Sequence, residues 1–373
     1  MTTIPQIAVP AGYQFGTAAA HIKYPGRKDV GFIVSNNPAS CAAVFTQNRF
    51  CAAPVAFSRD MLHNSAGIIS GIVVNSGCAN AATGDQGMEN AATMAHLASE
   101  SIGHGGAFLV CSTGTIGVQL PMEKISRGIT EAADMRGEDA ADFVAFADSI
   151  MTTDTVRKIA SAQFEVGGKT VTIAGCAKGS GMIHPNMATL LAFVITDIAI
   201  DAHLLQQIFA RVNDISLNCI TVDGDTSTND TAILLANGAA DVQATAGSEA
   251  MRAFESALTD VMIKLARQLA CDGEGATHLV EITVSGAATF ADARKAAMAV
   301  ANSPLVKTAI YGKDANWGRI ACALGYSGVD FDATKTDITL GDLVMMRNGT
   351  PQDFSEERAL VILGEDEIKI HAD

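Results

Sequence analysis

Short apolar runs alternate with amphipathic stretches along much of the chain. Ile69-Ser70-Gly71-Ile72-Val73-Val74 has the β-branched content of a buried strand and runs into the polar loop Asn75-Ser76-Gly77-Cys78-Ala79-Asn80. From Met88 to Ile102 the residues Met94, Leu97 and Ile102 lie on one helical face, and Gly103 is a stop signal. Phe108-Leu109-Val110 predicts a strand entering Ser112-Thr113-Gly114, and residues 140–151 predict a helix. The clearest helical period runs from about Ser248 to Ala270, carried by Met251, Phe254, Leu258, Met262, Leu265 and Leu269. Leu190 to Ile195 is the strongest apolar run and predicts a buried strand. Leu279–Val284, Thr308–Tyr311, Ile320–Leu324 and Ala359–Leu363 read as further strands. This alternation predicts a mixed α/β (α+β) protein of layered sheets flanked by helices, with a smaller C-terminal α/β part.

Composition narrows the function classes. At roughly 150 residues per domain, 373 residues allow two or three modules. A hydrophobic content of 48% excludes global disorder. The net charge of −15 leaves no basic footprint for a nucleic-acid backbone or an anionic membrane. With one Trp, four Tyr and 34 Gly, the chain is suited to close backbone packing and tight loops. No apolar run reaches membrane-spanning length. The start, Met1-Thr-Thr-Ile-Pro-Gln6, has neither a basic residue nor an apolar core, which predicts a cytoplasmic protein without a signal peptide. Eight cysteines without a Cys-x-x-Cys predict buried, reduced thiols, and eight dispersed histidines predict no structural metal.

Most of the glycine-rich stretches fail as nucleotide sites. In Lys178-Gly179-Ser180-Gly181 the lysine precedes the glycines, the wrong order for a phosphate-binding loop, and no G-x-G-x-x-G follows a first strand. Asp223-Gly224-Asp225-Thr226-Ser227 opens like a calcium loop but has Thr228 at the sixth position and Leu234 at the twelfth. A capped turn covers much of that segment. The segment from Lys178 to Asp197 is different, because a loop rich in glycine leads through Met187-Ala188-Thr189 straight into the apolar strand. A threonine there can present its hydroxyl to its own preceding carbonyl, as an N→O acyl shift requires. Cleavage would leave Thr189 with an α-amine that titrates near about 8 and serves as a base for the hydroxyl. Taken alone, a threonine at a strand start is usually a β-former and nothing more.

The surroundings of Thr189 alter that balance. Lys178-Gly-Ser-Gly-Met-Ile-x-Pro-Asn-Met-Ala-Thr-Leu190 resembles the self-cleavage signature of the ornithine acetyltransferase (glutamate N-acetyltransferase) family. Further matches follow in order along nearly the whole chain. They include Ala42-Ala-Val-Phe-Thr-Gln-Asn-Arg49, Asn75-Ser-Gly-Cys-Ala-Asn80, Ser112-Thr-Gly-Thr-Ile-Gly117 and Met151-Thr-Thr-Asp-Thr155. In the second half come Thr221-Val-Asp-Gly-Asp-Thr-Ser-Thr-Asn-Asp230, Asp272-Gly-Glu-Gly-Ala-Thr277 and Asn316-Trp-Gly-Arg-Ile320.

The resemblance implies a fold of the N-terminal-nucleophile type and autoproteolysis between Ala188 and Thr189. The products would be an alpha fragment, 1–188, and a beta fragment, 189–373, assembled as two copies of each. Thr189 would be the nucleophile that takes acetyl from N²-acetyl-L-ornithine and passes it to L-glutamate in arginine biosynthesis. Thr113 and Gly114 match the family's oxyanion hole, and Thr152, Lys178 and Glu274 match its substrate contacts. No cofactor is implied, although some members also use acetyl-CoA as donor. Lys178 suits a substrate carboxylate, Glu274 an ammonium and Thr152 a neutral hydrogen bond. Trp317, the only tryptophan, reads as a structural anchor, and His184 as loop variation. The match departs at His371-Ala372-Asp373, where the family has an asparagine at the position of His371, which leaves an altered amine specificity open. Two other readings stay open: a Thr-nucleophile amidohydrolase or aminopeptidase, and a paralogue that binds without turnover.

Overall fold

The computed structural model describes residues 7–103, 105–184 and 190–373. Two compact units divide it: Met1–Ile220 with Asp225–Asp272, and Gly273–Asp373 with Thr221–Gly224. In chain order, the first unit begins β1 (Tyr13–Ala18), β2 (Val30–Phe45), α1 (Ala53–Asn64), β3 (Ile68–Cys78), α2 (Gly84–Ile102) and β4 (Phe108–Thr115). It continues α3 (Met122–Asp134), α4 (Ala140–Ser149), β5 (Lys158–Val166), β6 (Lys169–Lys178) and β7 (Leu191–Thr196). The short β8 (Ala199–Ile200), α5 (Ala202–Asp214), β9 (Thr231–Ala236), β10 (Gln243–Ala244) and α6 (Glu249–Cys271) complete it.

One sheet runs β4-β3-β2-β9-β7-β6-β5, with β1 also pairing β2. The long β2 joins its two halves. Residues 30–34 pair with β3 and residues 40–45 with β9, and a register shift between Val34 and Ala39 accommodates the exposed Asn36-Asn37-Pro38. Strand alternation then sorts the side chains into layers. Ala192, Val194, Ala232 and Leu234 face a core shared with Phe209 of α5 and Phe254, Leu258 and Leu265 of α6. Their neighbours Phe193, Ile195, Ile233 and Leu235 share a second core with Ile33, Ile72, Leu109 and Phe146. Phe32, Val73 and Val110 turn the other way, towards Met94 of α2 and Ile129 of α3. The result is helices, one half of the sheet, a shared core, the other half, helices: the layered mixed α/β class expected from the sequence.

The second unit holds β11 (Leu279–Val284), α7 (Phe290–Asn302), α8 (Pro304–Tyr311), α9 (Trp317–Gly325), β12 (Ile338–Leu340), β13 (Leu343–Arg347), β14 (Thr350–Pro351), α10 (Glu356–Ile362) and β15 (Glu367–Ala372). Its sheet runs β11-β15-β12-β13-β14. Three expectations are corrected here, since Thr308–Tyr311, Ile320–Leu324 and Ala359–Leu363 are helical, not extended. Ser303 accepts from Val306 N with Pro304 following it, and Ser355 accepts from Arg358 N, so helix caps overrode the short apolar runs. The cysteine expectation is corrected too. Cys41, Cys78, Cys111 and Cys176 are buried and Cys51 is half-buried, but Cys219, Cys271 and Cys322 are exposed, two of them at or near helix ends where the core does not reach. Trp317 is half-buried against the second unit's core, consistent with an anchor. No helix among the described residues is long and apolar enough to cross a membrane.

Candidate active site

Strands β3 and β4 run parallel, and their register breaks at the carboxyl end, where Cys78 faces both Thr113 and Thr115. Gly114 lies at this break with φ +133°, and a Cβ there would come within 2.3 Å of the Gly77 carbonyl carbon. Only glycine fits, for two separate reasons. Thr113, one residue earlier, is buried, and its Oγ1 accepts from Lys178 Nζ at 3.2 Å. Lys178 ends β6, which four strands separate from β4 in the sheet order. The contact therefore forms across the layers, and it brings together two sequence-predicted site residues 65 positions apart.

Ala188 and Thr189, the predicted cleavage pair, lie outside the described residues. The chain on their carboxyl side is closely held. Leu190 accepts from Thr231 N at 3.0 Å, its own N–H donates to the Asp230 carboxylate, and Leu191 pairs with Lys178. Asp230 is buried, and its Oδ2 has no hydrogen-bond partner among the described residues. Burial pushes the Asp230 carboxyl well above the usual carboxylate range, against the Leu190 and Ser227 amides, the Lys178 charge and the Thr46 hydroxyl. Neighbouring Asn229 ties the layers together, donating from Nδ2 to Ala79 O at 2.6 Å and to Ser112 O at 2.9 Å.

Thr152 lies in the loop between α4 and β5. Its N–H donates to Asp154 Oδ2 at 2.9 Å, and its carbonyl accepts from Arg27 Nη1 at 3.3 Å, while Arg27 Nη2 donates to Met151 O. Asp154 Oδ1 accepts from Gly179 N at 2.7 Å and from Lys158 Nζ at 2.6 Å. Lys158 is fully buried and also donates to Asp272. Asp272 in turn accepts from the Thr155 amide at 3.0 Å and from the Thr155 hydroxyl. Burial would raise both carboxyls. For Asp154 the Lys178 and Lys158 charges outweigh it, and for Asp272 the Lys158 and Thr155 hydrogen bonds do, so both titrate below the usual range. Glu274 lies in the second unit, exposed, in a turn closed by Ala276 N to Gly273 O at 2.9 Å. His371 is in β15, within hydrogen-bonding distance of Ser285 Oγ at 2.7 Å.

The structure thus joins Thr113, Gly114, Lys178 and, through Asp154, Thr152. Reasoning from sequence missed Asp154, Lys158, Asp230 and Arg27 as members of this arrangement. Asp154 and Asp230 stood inside matched motifs without a role. Lys158 had no signal at all, since a lysine opening a strand is usually solvated. Chemically, the arrangement offers a hydroxyl already accepting from an ammonium, its own proton without an acceptor among the described residues, and a carboxyl that feels the same ammonium and holds the chain at Leu190. The buried Cys41, Cys111 and Cys176 do not compete as nucleophiles, because burial raises their thiols.

Known proteins resemble this chain over nearly its full length. The ArgJ family model matches residues 14–373. The arginine biosynthesis bifunctional protein ArgJ of Symbiobacterium thermophilum is 51% identical over 372 residues, 98% of this chain and 91% of that protein. The protein of the same name from Geobacter sulfurreducens is 51% identical over 340 residues, covering 91% and 86%. Among solved structures, arginine biosynthesis bifunctional protein argJ from Bacillus halodurans is 40% identical, with a TM-score of 0.42, over 48% of this chain and 91% of that one. The ornithine acetyltransferase of Mycobacterium tuberculosis, complexed with ornithine, is 30% identical with a TM-score of 0.42, over 48% and 93%.

Proposed function

This chain belongs to the ArgJ family, acyltransferases of arginine biosynthesis, and on that premise we propose that it moves acetyl from N²-acetyl-L-ornithine to L-glutamate through an ester on Thr189. Autoproteolysis between Ala188 and Thr189 comes first, and it frees the α-amine that acts as base. The Thr189 hydroxyl adds to the acetyl carbonyl and gives its proton to that amine. Collapse of the adduct passes the proton to the departing nitrogen, releasing ornithine and leaving acetyl-Thr189. The glutamate amine then attacks the ester, and the hydroxyl is regenerated. No coenzyme is needed for this exchange, and acetyl-CoA would enter only as an alternative donor.

The observation that carries the reading is the 3.2 Å contact between Lys178 Nζ and Thr113 Oγ1. A hydroxyl that accepts from an ammonium is a better donor to the oxyanion formed in both addition steps. Thr113 and the Gly114 amide are assigned to that oxyanion, Lys178 to a substrate carboxylate, Thr152 to a neutral contact and Glu274 to an ammonium. The substrates are small amino acids, and the working protein is a cytoplasmic assembly of two alpha and two beta fragments.

The test has two parts. Denaturing electrophoresis of the pure protein is expected to give two bands, each roughly half of 38.6 kDa. Acetylornithine incubated with glutamate is expected to yield acetylglutamate and ornithine. A single full-length band, or release of free acetate at the same rate with and without glutamate, would refute the transferase reading.

A further inference from the structure

The buried ion triad of the first unit is fully satisfied. Lys158 Nζ spends its donors on Asp154 Oδ1 at 2.6 Å, Val156 O at 3.2 Å and Asp272 Oδ2. Lys158 and Asp154 expose no side-chain surface, and Asp272 only 5%. A buried ion pair is weak support for stability by itself, because desolvation consumes most of the attraction. What this one holds is more informative. Asp154 fixes the Thr152 amide with Oδ2 and the Gly179 amide, next to Lys178, with Oδ1. Asp272 fixes Thr155, and its backbone carbonyl accepts from Ser180 Oγ at 2.7 Å. The segments that carry Thr152 and Lys178 therefore both lead back to one lysine.

We infer that Lys158, Asp154 and Asp272 form the positioning device of the amino-acid site, with Asp154 setting Thr152 relative to Lys178. This rests on the function proposed above. Asp154→Asn is the selective probe. With its amide oxygen at the Oδ1 position, it keeps the Lys158 and Gly179 donors. Its amide nitrogen then faces the Thr152 N–H, donor against donor, and releases that loop while the other two hydrogen bonds remain, at the cost of the charge facing Lys158.

Amide exchange across residues 151–156 is expected to quicken in Asp154→Asn while exchange across α6 stays as in the wild type. The KM for glutamate is expected to rise about tenfold, the equivalent of one well-placed hydrogen bond, with a smaller fall in kcat. Combined with Thr152→Val, the two changes are expected to be non-additive in KM, because Asp154 acts through Thr152. If Asp154→Asn does not fold, Asp272→Asn, which weakens the Thr155 anchor, is expected to give the same exchange pattern and a raised KM. A lower melting temperature with unmoved KM, or strict additivity with Thr152→Val, overturns the inference while leaving the transferase reading intact. Absence of transfer in the wild type overturns both, and is seen before any variant is made.

Discussion

Two carboxyls face Lys178 and titrate in opposite senses. Asp154 is ionised more readily in the folded chain than in the unfolded one, so its contribution is present above the unfolded value and lost as pH falls through the folded one. Asp230 is the reverse: its contribution is complete below the unfolded value and lost as pH rises through the folded one. Relative to wild type, urea midpoints are therefore expected to move in favour of Asp230→Asn as pH rises above the usual carboxylate range, and in favour of Asp154→Asn as pH falls below it. Parallel changes for the two variants would show that the assigned directions are wrong. Gly114→Ala meets both a left-handed φ and the Gly77 backbone, and its transfer rate is expected to fall by at least about 10²-fold. Thr113→Val is expected to do the same while leaving the strand end intact. The glycine's role was legible in its motif, but the reason was not, since a close approach between two strand ends has no local pattern. Lys158 was invisible for a related cause: burial is a property of the partners, and Asp272 lies 114 residues away.

Among the elements, α6 was legible because its signals agree. Ser248 caps Met251 N at 3.1 Å, and Phe254, Leu258, Met262 and Leu265 recur on its buried face. Ser248→Ala is expected to cost about 1 kcal/mol and Leu258→Ala about 2–5 kcal/mol in urea unfolding. Equal small losses for both would contradict the packing described. The helices α8, α9 and α10 were misread because five or fewer apolar residues in a row have no usable period. Ser303-Pro304 carried a start signal for the first of them, and weighing that cap above the Thr308–Tyr311 run would have recovered it. The double pairing of β2 was not legible, since Asn36-Asn37-Pro38 resembles the end of a strand more than its bend.

For the whole molecule, the proposed cut does not follow the boundary between compact units. It falls within the first unit, between β6 and β7, which pair antiparallel from Ile173 opposite Thr196 to Lys178 opposite Leu191. One sheet is thus built from both prospective fragments, and the core around Phe193 and Phe146 takes side chains from each. The two fragments are expected to co-elute in native size exclusion and to separate only in denaturant. Separation under native conditions would show that the interleaved sheet does not persist after cleavage. The pairing of β6 with β7 has a kinetic consequence as well. Before the cut, the connecting segment keeps the two strands at a high effective concentration, and folding is a first-order event. After it, the fragments must meet by diffusion, so recovery from denaturant depends on dilution. A Thr189→Ala chain, still continuous, should refold at a rate independent of concentration, whereas the processed protein should not. Maturation would then spend the connectivity that guided assembly, leaving a protein whose persistence depends on how slowly it comes apart.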